Sequence, residues 1–502
     1  MKNKRIKIEL VFFDLFLFLG ILLSVSTLWA VKMFGKTSVD SMIFTLLAPT
    51  AGTDSSVIYS WLSWCLATSV LATILITLVV IYIYKRKHYS WLHYIWVVGI
   101  VILVGSLVNV ECQYHIVAYI QNQKETTHIY EQKPKKKKKV AKDGDEKLIY
   151  ANPQSVEISG NETNNLIYIY LESYENTFMD KNNGGVKDVN CLPELTQLAN
   201  ENLNFSNTDK LGGAIAFTGS TWTIGSMVAQ SSGLPLKAEL ANNMDKFTKF
   251  MPGAKMIGDV LKEQGYNQEL LMGSKSSFAG TNHMFNQHGQ YQIVDLDTIK
   301  SNYDLKDDDY CSWGINDHKL LEVARNELSM LAAKGQKFNF TMATIDCHMP
   351  RGMLCKQCPR TYKNRYENIY ACQSKQVNDF ITWCKQQSWY ENTTIILVGD
   401  HQTMAQDYVN DVDSTYQRTT YNCFINSKIQ AVNNKNRQFT QMDMYPTTLA
   451  AMGFEVKGNK LGLGTNLFSK LPTVIEKYST SYIEQEISKS SEYLNKEIYQ
   501  FE

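Results

Sequence analysis

Apolar residues along this chain fall into two regimes. Near the N-terminus they form three unbroken runs, Leu10–Val31, Trp64–Tyr84 and Leu92–Val110, each close to the roughly 20 residues that cross a bilayer as a helix. From Asn164 to about Ser469, short apolar runs alternate instead with helix-spaced patterns, which predicts an α/β domain with a mostly parallel sheet. Three of the short runs read as buried strands: Leu166–Leu171, Lys337–Ile345 and Thr394–Val398. After Ser469 the spacing of Val474, Ile475, Tyr478, Tyr482, Ile483 and Ile487 predicts a packing helix. The expected organisation is a membrane region at 1–120 (spans about 10–31, 64–84 and 92–110), a linker at 121–163, a catalytic α/β domain at 164–470, and a helical tail at 471–502.

Charge orients this arrangement. The 502-residue chain has a formal net charge of +1, with no global signature of a nucleic-acid partner. The basic stretch Met1-Lys-Asn-Lys-Arg-Ile-Lys7 precedes the first span, and Lys85-Arg86-Lys87-His88 separates the second from the third. Both belong on the cytoplasmic side, and three spans then deliver everything after Cys112 to the outer face. The first run lacks a small-residue cleavage site and reads as a retained anchor. Trp61, Trp64, Trp91 and Trp96 suit interfacial belts. Asp14, inside the first span, is either near enough to the interface to stay wet or takes a lipid-facing or packing role. Phe44–Ser60 reads as an outer loop where a lipid headgroup could be met, and Lys133 with Lys135–Lys139 as a solvated basic run able to touch anionic lipid.

Candidate chemistry converges on Phe217–Pro235, FTGSTWTIGSMVAQSSGLP. It reads as a small-residue loop, a short apolar helix and a Ser-Ser-Gly stop. Thr221 or Thr223 then sits at a helix N-terminus, as a plain cap or as a hydroxyl where free N–H groups favour an anion. Each predicted strand delivers a polar group at its carboxyl end: Glu172, then Asp346 and His348, then Asp400-His401. In open α/β sheets that edge is where ligands bind. Glu, Asp, His and a Thr hydroxyl form a hard, mostly oxygen donor set that suits Mn²⁺ first, with Zn²⁺ or Mg²⁺ as alternatives. Cys355-Lys-Gln-Cys358 lies in the loop after His348. On the outer face it reads as part of a disulfide, formed locally or with Cys347 or Cys372, that staples this loop over the substrate.

The segments Leu166–Phe178, Thr221–Leu236, Ser276–Gly289, Trp313–His318, Gly399–His401 and Asp443–Phe468 resemble the alkaline-phosphatase/sulfatase superfamily. Within it they are similar to the membrane phosphoglycerol transferases, of the phosphoglycerol transferase I type and related to lipoteichoic acid synthase; Phe44–Asp54 shares that likeness. The resemblance implies a sulfatase-like fold and metal ligands Glu172, Thr223, Asp400 and His401. It also implies Thr223 as nucleophile, His348 on the substrate side, and His288 as a substrate contact or a turn-positioning residue. The implied reaction moves glycerol phosphate from phosphatidylglycerol to an extracytoplasmic glycan or polymer acceptor through a phospho-Thr intermediate, at the bacterial cytoplasmic membrane. A phosphoethanolamine transferase or phosphodiesterase on the same scaffold, or a catalytically dead tethered binding protein, are the rival readings. A sulfatase activity would need Cys or Ser in C/S-x-P-x-R, whereas Thr223 is followed by Ile224-Gly225-Ser226.

The charge pattern makes a topological prediction. Protease added to intact spheroplasts should digest residues 164–469; their protection would overturn the outward placement and the lipid donor with it.

Overall fold

The computed structural model describes residues 2–35, 38–40, 42–43, 55–87, 94–131, 149–160, 163–237, 249–349 and 351–500. The Phe44–Asp54 likeness and the Lys133–Lys139 run lie outside them. The chain divides into two compact units. One comprises Met1–Val39, Thr53–Gln121 and Met404–Asp407; the other comprises Asp40–Gly52, Asn122–Thr403 and Tyr408–Glu502.

In the first unit the apolar runs are helices: α1 (Lys2–Phe34), α2 (Ala67–Lys87) and α3 (Ile95–Tyr114). Among the described residues, three stretches are long and apolar enough to cross a membrane: Ile8–Phe34, Ser55–Arg86 and Ile95–Tyr114. The second stretch begins earlier than the apolar run, because Ser55–Trp61 is helical and joins α2 through a π-type turn, Leu62–Leu66. Leu71, Leu75 and Leu78 stand exposed, as side chains do when lipid is their solvent. α1 and α3 approach closely because they meet at small residues. A Cβ on Gly99 would lie 3.0 Å from the Phe16 Cβ, and one on Gly20 would lie 2.9 Å from Ile102 Cγ2. Ser106 Oγ donates to the Gly20 carbonyl at 2.8 Å. Asp14 takes the packing role, its carboxylate accepting from Thr77 Oγ1 at 2.5 Å.

The second unit is built on a six-stranded sheet. Its strands are β1 (Asn165–Leu171), β2 (Asn267–Met272), β3 (Gln292–Val294), β4 (Phe338–Ala343), β5 (Thr393–Gly399) and β6 (Asn422–Ile425). Their spatial order is β3-β2-β4-β1-β5-β6, all parallel except β6, which runs antiparallel to β5. β4 and β5 are buried throughout, as a parallel sheet covered on both faces requires. β1 sits at the centre, with Tyr170 opposite Ala343 of β4 and Val398 of β5. The register brings the carboxyl ends of β1, β4 and β5 level, so residues 172, 344 and 400 emerge side by side.

Gly399 matters to that edge. A Cβ there would meet the Tyr174 carbonyl oxygen at 1.8 Å, so only glycine lets the chain after β1 fold back across the end of β5. The helices that flank the edge are α4 (Thr223–Ser232), α5 (Asp317–Ala333), α6 (Arg365–Cys384) and α7 (Met444–Ala451).

Two expected segments pack more tightly than their composition implies. On either side of the basic run, Tyr130, Ile149 and Tyr150 of the linker are buried, and Ile158–Ser159 pairs with Glu455–Val456. The tail forms Val474–Tyr478, Thr480–Ser488 and a π-type turn Leu494–Tyr499. Ser479, at a positive φ of 70° with an extended ψ of 152°, breaks the single helix that the spacing predicts. Val474, Ile475, Ile483 and Ile487 are buried, while Tyr482 is exposed.

Candidate active site

The site begins with α4. Trp222 is extended and supplies no side-chain cap, and the helix ends at left-handed Gly233 (φ 70°), whose N–H reaches the Ala229 carbonyl. Thr223 is therefore the first helical residue, and of the two candidates it is the one that begins the helix. Residues Ile224–Ser232 are all buried. One turn into the helix, Ser226 Oγ donates to the backbone carbonyl of Asp400. Gln441 Nε2 reaches both that carbonyl and Ser226 Oγ, the latter at 3.0 Å, and Gln230 Nε2 reaches Ser226 Oγ at 2.8 Å. The Tyr168 hydroxyl of β1 closes the chain on Gln230 Oε1 at 2.7 Å. This network fastens the start of α4 to the end of β5.

Four predicted residues come together there. Thr223 Oγ1 lies 3.4 Å from His401 Nε2. The same nitrogen is 3.4 Å from Asp400 Oδ2 and 3.7 Å from Glu172 Oε1. Both carboxylates and the imidazole are almost fully buried. Asp400 Oδ1 accepts the backbone N–H groups of Ser173 and His401, each at 2.7 Å, but buried Oδ2 has no hydrogen-bond partner. Glu172 Oε1 accepts from Ser173 Oγ at 2.6 Å. His401 Nδ1 meets the Gln402 carbonyl at 2.8 Å, which places the ring proton on Nδ1 and leaves the Nε2 lone pair facing the carboxylates.

Burial, with the Glu172 carboxylate adding to it, pushes Asp400 up to about 7. Burial likewise raises Glu172 against the pull of His401. At His401 burial opposes the charged form, but Asp400 and Glu172 outweigh it and the pKa is raised. Two desolvated carboxylates, one with an orphaned oxygen, are costly unless a cation joins them. Donors about 2.1 Å from a tetrahedral ion lie about 3.4 Å apart; His401 Nε2 is 3.4–3.7 Å from the other three donors, and the Glu172, Asp400 and His401 ligand atoms all lie within 4.8 Å of one another. The residues present therefore fit a single divalent ion.

His348 lies half-buried on the loop after β4. Its Nδ1 meets the Met349 carbonyl at 2.7 Å and its ring packs on Trp313 with centroids 4.2 Å apart. Trp313 Nε1 donates to the same carbonyl at 3.3 Å. His288 is not part of the group. It is buried, with Nδ1 on Asp259 Oδ2 at 2.9 Å and Nε2 on the Phe250 carbonyl at 2.8 Å. Asp259 Oδ2 also accepts the Met256 N–H at 2.8 Å, so of the two roles weighed for it, positioning describes His288: neither ring nitrogen is left for a substrate. The ten cysteines are all free thiols, which corrects the expected disulfide of the Cys355–Cys358 motif, local or with Cys347 or Cys372; Cys372 lies beside that pair at non-bonded distances.

Pattern reading missed the residues that act through others. Ser173 adopts φ 57°, a conformation uncommon outside glycine and often found at functional sites. It aims its N–H at Asp400 and its hydroxyl at Glu172. Glu175 is wholly buried and accepts the Thr403 N–H at 2.8 Å and Arg418 Nε at 2.8 Å. That clamp holds the chain just beyond His401. The tail reaches the other flank: Glu484 Oε1 accepts the Thr218 N–H at 3.0 Å, and the Tyr499 hydroxyl accepts the Lys237 N–H at 2.9 Å.

A mostly parallel sheet thus carries a buried Glu-Asp-His group and a Thr hydroxyl at its carboxyl edge. The Sulfatase family profile matches residues 164–454, and the chain belongs to that family. Among curated relatives it is 32% identical over 262 residues to phosphoglycerol transferase I of Citrobacter koseri, covering 50% of this chain and 32% of the relative. It is 29% identical over 341 residues to phosphoglycerol transferase I of Salmonella choleraesuis, covering 65% and 42%. The matched region thus spans about a third to two-fifths of the length of these relatives. The fold is shared with a protein in the alkaline phosphatase superfamily from Vibrio parahaemolyticus, at TM-score 0.50 and 20% identity over 63% of this chain and 72% of the other.

The clamp generates a prediction. Arg418→Met strands a buried carboxylate and should destabilise the protein by about 3–5 kcal/mol, read as a lower thermal midpoint. Adding Glu175→Gln should recover most of the loss. A single variant that melts with the wild type would rule the clamp out.

Proposed function

We propose that this protein is a metal-dependent phosphoglycerol transferase that moves glycerol phosphate from phosphatidylglycerol to a glycan or polymer acceptor on the outer face of the bacterial cytoplasmic membrane. The observation that carries the reading is the Thr223 hydroxyl, at an uncapped helix start and 3.4 Å from His401 Nε2 beside two buried carboxylates. The likeness to proteins named phosphoglycerol transferase I supports the transferred group.

Glu172, Asp400, His401 and Thr223 would hold one divalent cation, Mn²⁺ by preference for this oxygen-rich set, with Zn²⁺ or Mg²⁺ as alternatives. When bound, such an ion lowers the pKa of a hydroxyl it touches and offsets charge on phosphate oxygens. Thr223 Oγ gives up its proton to solvent water and attacks the donor phosphorus in line. A new Oγ–P bond forms, the bond from phosphorus to the diacylglycerol oxygen breaks, and that oxygen leaves with a proton from His348. The first N–H groups of α4 face the negative charge that builds on the phosphoryl oxygens. The glycerophosphate is then carried on Thr223. An acceptor hydroxyl gives its proton to His348 and attacks from the vacated side; the Oγ–P bond breaks, and Thr223 Oγ takes a proton back from water. Two successive displacements predict ping-pong kinetics. The imidazole of His348 suits both proton transfers near neutral pH, and the tilted Trp313 ring packed beside it restrains its orientation.

Thr223→Ala should leave the fold intact, since loss of one helix-start hydroxyl costs about 0.5–2 kcal/mol, yet abolish turnover, while Thr221→Ala remains active. Protein quenched with phosphatidylglycerol and no acceptor should carry a glycerophosphate adduct on the peptide containing Thr223. An adduct elsewhere, or turnover by Thr223→Ala, excludes this mechanism. A separate expectation concerns the ion: Asp400→Asn and His401→Ala should lose bound divalent metal together with activity, by at least the ten- to hundredfold typical of weaker, indirect changes. Full metal content and turnover in His401→Ala would remove the proposed centre.

A further inference from the structure

The loop after β4 carries a second convergent group that the transfer reaction does not use. Cys355 and Cys358 stand on the loop and Cys372 on α6, and all three are buried. The Cys355 sulfur lies 3.5 Å from that of Cys358 and 3.7 Å from that of Cys372. A disulfide would require about 2.05 Å. Two thiolates each 2.3 Å from a tetrahedral zinc ion lie about 3.8 Å apart, close to the spacing found here. The C-x-x-C turn closes with the Cys358 N–H on the Cys355 carbonyl at 3.2 Å.

An independent feature points into the same place. Gln376, one turn beyond Cys372, is only 8% exposed. Its amide nitrogen sits 3.3 Å from the Cys372 sulfur and 3.6 Å from the Cys355 sulfur, while its buried Oε1 has no partner. A half-turn of the amide exchanges these two atoms and presents the orphaned oxygen to the sulfurs. Three sulfurs and one carbonyl oxygen then make a four-cornered site.

We propose that Cys355, Cys358, Cys372 and Gln376 form a structural zinc site that fastens the His348 loop to α6. Three thiols and one Zn²⁺ give the tris-thiolate and release three protons, with no redox change. The Arg365 guanidinium, close enough to Cys358 for their charges to interact, offsets the residual negative charge. Soft thiolates favour zinc, whereas the oxygen-rich group at Glu172, Asp400 and His401 suits Mn²⁺ first, so the two groups differ in the ion they prefer. The clamp is placed to act on function through position. His348, Met349 and both loop cysteines lie on one connection, and fastening its far end to α6 fixes the near end where His348 packs on Trp313.

The test uses the full chain in detergent, reduced, stripped of metal and reloaded with Co²⁺. Wild type should show near-ultraviolet thiolate-to-cobalt charge-transfer absorption. Asp400→Asn should keep it, because the carboxylate group contains no sulfur, and this separates failure of the zinc site from failure of the proposed catalytic centre. Cys372→Ser should lose the band, while Cys311→Ser, outside the cluster, should keep it. Gln376→Leu should keep the band with cobalt affinity lowered at least about tenfold, a measurement that stands even if Cys372→Ser does not fold. Absence of the band in wild type, its loss in Asp400→Asn, or a disulfide among Cys355, Cys358 and Cys372 in protein mapped without reduction would overturn the proposal.

Discussion

The buried carboxylates of Glu172 and Asp400 are the constraint around which the second unit is organised. Two acids almost fully withdrawn from water repel each other and lose hydration, and Asp400 answers with a pKa near 7. Such a pair survives only where the fold holds it and a positive partner completes it. The fold does its part with backbone groups. N–H groups of Ser173 and His401 saturate one Asp400 oxygen and leave the other aimed at His401 and Glu172. The parallel register of β1 and β5 sets the two acids side by side, and Gly399 leaves room for the Tyr174 carbonyl against the end of β5.

Around that pair the supports are layered. Ser226 and Gln441 grip the Asp400 carbonyl from the α4 side, while Glu175 and Arg418 hold the chain beyond His401. The C-terminal tail anchors the loop before α4 through Glu484 and the segment after it through Tyr499. Thr223 is consequently placed by contacts from β1, β5, α4 and the tail, each of which would have to yield before its hydroxyl could drift from the group. This is how a site that needs sub-ångström placement is built from a helix start, which by itself is only a weak anchor.

The sulfur cluster extends the same logic to the His348 loop. Among its described residues that loop contributes no strand, and it needs a tether other than sheet pairing. Arg365 supplies one through the carbonyls of Arg351 and Gly352, and the three cysteines gather at another point of the same loop.

Local pattern determined a great deal. Apolar run length marked the three membrane-capable helices, and alternating runs marked the α/β unit. Polar residues directly after apolar strands marked Glu172, Asp400 and His401, because strand direction alone decides which end of a parallel sheet they reach. The Gly233 stop and the apolar run marked α4, although Thr221 and Thr223 were separable only by resemblance until the helix start was seen. What tertiary structure alone decided depends on contacts between distant positions. Ser226 meets Gln441 across 215 positions and Glu175 meets Arg418 across 243, and no local period encodes either. His288 was ambiguous in sequence because a histidine before glycine reads alike as ligand or brace; only the atoms facing its two nitrogens distinguish them. The cysteines show the same limit. Spacing relates Cys355 to Cys358, but the third sulfur comes from α6, and its distance from the other two is set by how that helix packs.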